Sequence, residues 1–178
     1  MERELKTKRL LLRQWKQSDL KTFASINADP DVMEFYPDIQ SEQQSNEMAK
    51  YFQNLIEING WGFWAVERLS DQQFIGFVGL HEPIFDLPVT PCVEIGWRLA
   101  KNAWGKGFAT EAAKACLEFA FNELNLQNVY SFTSVGNKAS ISVMQKIGMT
   151  NMNANFDHPI IPKGHKLSEH VIYKLNAP

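Results

Sequence analysis

An apolar strand that runs into two closely spaced glycines and then into a helical pattern constrains the fold of this chain more than any other stretch. Residues 93–99 alternate, with Val93, Ile95, Trp97 and Leu99 on one side and Glu94, Gly96 and Arg98 on the other, the period of a half-buried strand. The segment Trp104-Gly105-Lys106-Gly107-Phe108-Ala109-Thr110-Glu111-Ala112-Ala113 follows shortly after it. Ala109, Ala112, Ala113, Cys116, Phe119, Ala120 and Leu124 then recur at helical spacing, and their small members let a helix lie close on a sheet. The first amides of a helix lack intrahelical acceptors and sit at the positive end of its dipole. A glycine-rich entry lets backbone approach a ligand, so the segment reads either as an anion cradle or as a tight strand-to-helix turn.

The rest of the chain supplies a sheet and helices around that segment. A strand is expected at 9–14 and a helix from Ser18-Asp19 to Ile26, stopped by Asp29-Pro30. Ser41 with Gln44 forms a capping-box pattern ahead of a second helix that carries Met48, Tyr51, Phe52, Leu55 and Ile56 and ends at Gly60. Segments 63–68 and 74–80 read as an antiparallel hairpin, and the loop 82–91 with its three prolines separates them from the strand at 93–99. A strand at 129–135, a short helix capped by Asn137 and ending at Gly148, and two strands near 151–157 and 170–175 complete the order. These elements predict one α/β domain over residues 1–178, a mixed sheet of six to seven strands with helices on both faces.

Composition narrows the setting. With 178 residues a single core is expected, and a net charge of −2 leaves no broad basic footprint for nucleic acid or an anionic membrane. Cys92 and Cys116 form no CxxC, and the charged N-terminal residues do not resemble a signal segment, so a reducing, cytoplasmic setting is expected. No apolar run approaches the ~20 residues of a membrane helix. His158, His165 and His170 lack the spacing of a zinc site, so no metal is expected.

The glycine segment lacks the GxxxxGK[ST] spacing of a P-loop and the third glycine or alanine of a Rossmann fingerprint. Together with Thr7-Lys8-Arg9-Leu10-Leu11-Leu12-Arg13, Glu94-Ile95-Gly96-Trp97, Asn137-x-x-Ser140 and Lys146-Ile147-Gly148-Met149, it makes nearly the whole chain resemble the GNAT superfamily of acyl-CoA-dependent N-acetyltransferases. The closest likeness is to the branch of the RimJ and RimL ribosomal-protein acetyltransferases. Trp104, Gly107 and Ala109 match the family's Gln/Arg-x-x-Gly-x-Gly/Ala pyrophosphate motif, with Trp104 in place of the usual Gln or Arg. The resemblance implies a mostly antiparallel GNAT-like sheet that splays after the strand at 93–99. It also implies acetyl-CoA as cosubstrate, bound by Trp97, Arg98, Leu99, Trp104, Gly105, Lys106, Gly107, Phe108, Ala109, Thr110, Asn137 and Ser140. The main chain of Trp97 and Leu99 would pair with the pantetheine arm, and the amides of Gly105–Thr110 would hold the pyrophosphate.

Transfer to an amine requires removal of a proton before or during attack and protonation of the departing thiolate. The family's usual acid is a tyrosine, and the matching residue here is Met144, which has no proton to give. Ser140 falls at i, i+3, i+4 and i+7 with Val143, Met144 and Ile147, on the inward face, and is the candidate donor; Tyr130 and Tyr173 stand as alternatives. Its hydroxyl could instead bond back to the carbonyl four residues earlier. Glu94 is the candidate base, or else a charge neighbour of Arg98 on the same strand face. The acceptor is a primary amine, either a protein N-terminus or a small molecule, and the protein a monomer or homodimer. Acceptor choice is assigned to the first two helices, loop 82–91 and segment 156–166, with Trp61, Phe63, Trp64 and Phe85 lining an apolar site or filling the core. A second reading keeps the cradle without turnover, as a CoA-binding regulatory or accessory module.

Overall fold

The computed structural model describes residues 3–178. Its strands are β1 (Leu5–Lys6), β2 (Leu10–Arg13), β3 (Phe63–Arg68), β4 (Gln73–His81), β5 (Glu94–Leu99), β6 (Asn128–Ser134), β7 (Thr150–Asn151), β8 (Phe156–Asp157) and β9 (Glu169–Asn176). The helices are α1 (Leu20–Asn27), α2 (Glu42–Asn59), α3 (Phe108–Asn122) and α4 (Lys138–Lys146). The sheet runs β1-β2-β3-β4-β5-β6-β9-β7, with β8 also on β9. All pairings are antiparallel except β5 with β6.

The six to seven strands expected become nine because two-residue strands extend the edges. β1 adds ahead of β2, and the single strand expected at 151–157 is broken into β7 and β8. The break follows from the run of asparagines: Asn153 takes a positive φ of 53°, and its amide donates to Asn151 Oδ1 at 2.8 Å, a local turn that competes with the ladder.

The capping box of α2 is formed as its sequence predicts, Gln44 N donating to Ser41 Oγ and Ser41 N to Gln44 Oε1. Opposite faces of the sheet take different helices. Phe77 meets Phe23 of α1 and Phe52 of α2 at ring separations of 6.0 and 5.0 Å, whereas Trp64 on the other face stands edge-on to Phe119 of α3 at 5.4 Å. Phe63 and Trp64, two candidates for an apolar acceptor site, are consumed by this core: Trp64 is fully buried, and Phe63 lies among Phe52, Phe77 and His81. No helix of the described chain is long and apolar enough to cross a membrane.

The β5–β6 pair positions the site. Its only register pair is Glu94 with Tyr130, supported by the Tyr130 amide on the Val93 carbonyl at 3.0 Å. Ser131 Oγ, buried, then donates to the Ile95 carbonyl at 2.9 Å, and beyond that bond the two strands part. A side chain thus satisfies the carbonyl that a continuing ladder would have used. The expected splay is therefore present, and it leaves one edge of β5 open.

A cleft through the open edge of the sheet

The opening holds a cleft of about 390 Å³. One wall is the glycine loop and the start of α3, with Trp104, Gly105 and Gly107 to Thr110 but not Lys106; a second is α4, with Asn137, Ser140 and Val143; and the α1–α2 loop contributes Asp31, Val32, Glu34, Phe35 and Tyr36. Trp97, Arg98 and Leu99 form its floor. By strand alternation Trp97 and Arg98 face opposite sides of the sheet, so the cleft passes from the α3 face to the α1–α2 face.

Local backbone demands explain the glycines. Gly105 and Gly107 have φ of 71° and 79°, a region that L side chains enter only with strain, and Gly107 is the N-cap of α3. The loop is held from outside by residues distant in sequence. Arg9 Nη1 donates to the Lys106 carbonyl at 2.9 Å, its guanidinium lies over the Phe108 ring at 4.6 Å, and its Nε pairs with Glu111 at 2.6 Å. Glu111 also accepts from Thr7 Oγ1 at 2.6 Å and from the Arg9 amide at 2.9 Å. Burial opposes ionisation of Glu111, but these hydrogen bonds and the Arg9 charge outweigh it and hold the carboxyl below its ordinary pKa.

Trp104, the departure from the family motif, braces the loop differently. Its Nε1 donates to the Leu99 carbonyl at 2.8 Å, tying the end of β5 to the entrance of the cradle. That carbonyl retains a second lone pair. The Lys106 side chain turns back onto the Asn102 carbonyl at 2.8 Å, so it is the main chain of Lys106 that stays with the loop.

On the α4 side, Asn137 Oδ1 accepts from the Ser140 amide at 3.1 Å while its Nδ2 donates to Thr133 Oγ1 at 3.0 Å. It is a cap that also lines the cleft. Ser140 lines the cleft as well, and its hydroxyl makes no hydrogen bond among the described residues, so the back-bond to the preceding turn is not formed. Met144 is turned into the core at 1% exposure.

Glu94 stands outside the lining of the cleft, at the point where β5 and β6 separate. It does not pair with Arg98. Its Oε1 lies 2.9 Å from His81 Nδ1, the cross-strand partner, and His81 Nε2 meets the Tyr51 hydroxyl at 3.1 Å. The strand position places Glu94 at the apex, but its partner His81 comes from β4 and is held in turn by Tyr51 of α2, a relay that leaves no local signal in the sequence. Tyr173 is buried, and Tyr130 faces Lys174 at 5.6 Å from ring to ammonium. Neither lines the cleft. The rings of His158 and His170 lie 4.9 Å apart, tilted by 43°, beside Phe85 and Phe156. Cys92 is half-buried, and burial followed by the neighbouring Glu94 charge pushes its thiol up to about 11, which keeps it protonated and unreactive at neutral pH.

Comparison with known proteins agrees with this architecture. Residues 9–150 match the model of the acetyltransferase (GNAT) domain. The uncharacterized protein YkkB of Bacillus subtilis (strain 168) is 35% identical over 147 residues, 82% of this chain and 84% of its own length. The uncharacterized N-acetyltransferase YnaD of the same organism is 30% identical over 169 residues, 95% of this chain and 94% of its own. Among solved structures, a GNAT-family acetyltransferase from Bacillus anthracis superposes with a TM-score of 0.81 at 25% identity, over 98% of both chains. The splayed strand pair, the helix-start cradle and these likenesses lead to one conclusion: the chain belongs to the GNAT acetyltransferase family.

Proposed function

We propose that the protein transfers the acetyl group of acetyl-CoA to a primary amine by direct attack in a ternary complex, as a RimJ/RimL-like member of its family. The observation that carries this reading is the cleft itself, which has an anion cradle at one end and the unpartnered Ser140 hydroxyl inside it. The amides of Gly105–Thr110 hold the pyrophosphate at the start of α3. The main chain of Trp97, Arg98 and Leu99 runs beside the pantetheine arm, and Asn137 keeps the start of α4 in place. The amine nitrogen attacks the acetyl carbon, so a C–N bond forms as the C–S bond breaks. Glu94, oriented by His81, receives the amine proton through the apex of the splay, and the Ser140 hydroxyl donates a hydrogen bond to the departing sulfur, whose thiolate takes its proton from solvent. No metal is required. The acceptor is a protein N-terminus or a small-molecule amine, the setting is cytoplasmic, and the protein acts as a monomer or homodimer.

Calorimetric binding of acetyl-CoA followed by thiol release with a panel of amines tests the reading. Ser140→Ala and Glu94→Gln are expected to lower kcat by ~10-fold or more while leaving CoA affinity unchanged. Absence of CoA binding overturns the proposal. Met144, a residue without a proton to donate, favours one alternative, a CoA-binding regulatory module. Tight binding with no release across the panel, unaltered in both variants, would establish it.

A further inference from the structure

The chain buries two arginines, and it treats them differently. Arg13, 3% exposed, is neutralised by two carboxylates: Nη1 and Nη2 grip Asp19 at 2.7 and 2.9 Å, and Nε reaches Glu67 at 2.7 Å. Arg98, 6% exposed, has no carboxylate partner among the described residues. Its Nη1 donates to Asn27 Oδ1 at 2.7 Å and approaches Met48 Sδ at 3.7 Å, and Tyr36 lies over the guanidinium at 4.0 Å. Nε is buried with no partner, and Nη2 makes no hydrogen bond among the described residues. A buried cation without a counter-charge is costly, and a tyrosine face with one amide oxygen does not replace an anion.

The free atoms are informative. Nε and Nη2 form the side edge of the guanidinium, whose two parallel N–H bonds match the two oxygens of a carboxylate. This residue lines the cleft. It points to the α1–α2 side of the sheet, as its register partner Phe77 does. The cradle at the start of α3 belongs to the opposite face, so the pyrophosphate held there is not the anion that Arg98 lacks. The α1–α2 side is where the proposed reading assigns the acceptor.

We infer that Arg98 is an acceptor-recognition residue that binds the carboxylate of an amine substrate, so that the preferred acceptors are of the amino-acid class. This rests on the acetyltransferase reading above. Asn27 and Tyr36 hold the guanidinium in place, and the Asn27 amide is itself fixed by Ser45 Oγ at 2.8 Å, so a carboxylate reaching Nη2 meets a preset group whose Nε is closed over until it binds.

The test uses matched acceptors that differ only in the anionic group: L-phenylalanine against phenethylamine, L-methionine against 3-(methylthio)propylamine, and β-alanine against O-phosphoethanolamine. Wild-type protein is expected to favour the carboxylated member in kcat/KM by ~10-fold or more, the ratio one charge-assisted bidentate contact supplies. Arg98→Met should bring that ratio to about one, and Arg98→Lys should retain part of it. A second arm needs no variant: N-acetyl-L-phenylalanine should inhibit the wild type more strongly than N-acetylphenethylamine. The proposal is overturned by equal use of both members, by preference for O-phosphoethanolamine, or by a preference that survives in Arg98→Met. If wild-type protein fails to bind CoA at all, the acetyltransferase reading falls first.

Discussion

The two ends of the cleft are built on opposite principles. At the cradle the useful groups are main-chain amides, and the side chains around them are all engaged: Arg9 with Glu111 and the Lys106 carbonyl, Thr7 with Glu111, Trp104 with the Leu99 carbonyl. Elsewhere in the cleft the groups of interest are side chains left unsatisfied, the Arg98 guanidinium, proposed to meet the acceptor, and the Ser140 hydroxyl, proposed to meet the cofactor sulfur. In the proposed reading the first end meets the same diphosphate in every turnover, and such an end can be fixed by backbone geometry and braced. An end that must select one amine among many is specified by side chains whose partners are supplied by the substrate.

The sharpest way to break the cradle alone is Gly107→Val. A Cβ at this position meets only the Arg9 guanidinium, at 3.5 Å, so the main cost is the positive φ of 79° in a β-branched residue. CoA affinity measured by calorimetry is expected to fall ~100-fold, equivalent to ~3 kcal/mol. Glu111→Ala removes the acceptor of three hydrogen bonds and frees Arg9; a ~10-fold loss of CoA affinity is expected, with acceptor KM little changed. Tyr36→Leu acts at the other end, removing the ring over Arg98. Acceptor KM should rise ~5-fold with CoA affinity intact, and equal changes in both constants would dissolve the distinction.

Acid should separate the regions with a smaller effect. Burial first, and then the charge of His170, lowers His158 from 6.5 to about 4, and burial also lowers His170. The folded state keeps these imidazoles neutral while the unfolded chain takes up protons below about 6.5, so stability is lost as pH falls from about 6.5 toward about 4. Melting temperature is expected to drop by a few degrees across that window, and His158→Phe should flatten the slope. Glu111 is held below its ordinary pKa, so the brace on the cradle outlasts this transition.

Much of the fold was legible because its signals are local. The α2 capping box, the hairpin of β3 and β4, the Asn137 cap and the glycine-to-helix transition are each written within a few consecutive residues, and each forms where expected. At the edges β1 escaped and β7 and β8 were read as one strand, because elements of two residues each are too short for alternation to register. At the site, the cradle and Ser140 were readable because spacing along one helix or loop defines them. The Glu111 brace was not, since Arg9 lies 102 positions away. The relay from Glu94 to His81 and from His81 to Tyr51 was hidden because it crosses from β5 to β4 and α2, as was the state of Arg98, because whether a buried charge has a counter-ion depends on which elements fold over it.

By itself, then, the sequence determined the elements, the cradle and the family, since helix caps, strand alternation and positive-φ glycines act over a few bonds. Only the tertiary structure decided which polar groups are spent on the protein and which are left for a substrate. That division depends on contacts between α1, α2 and β5, segments that approach one another only when the sheet is complete.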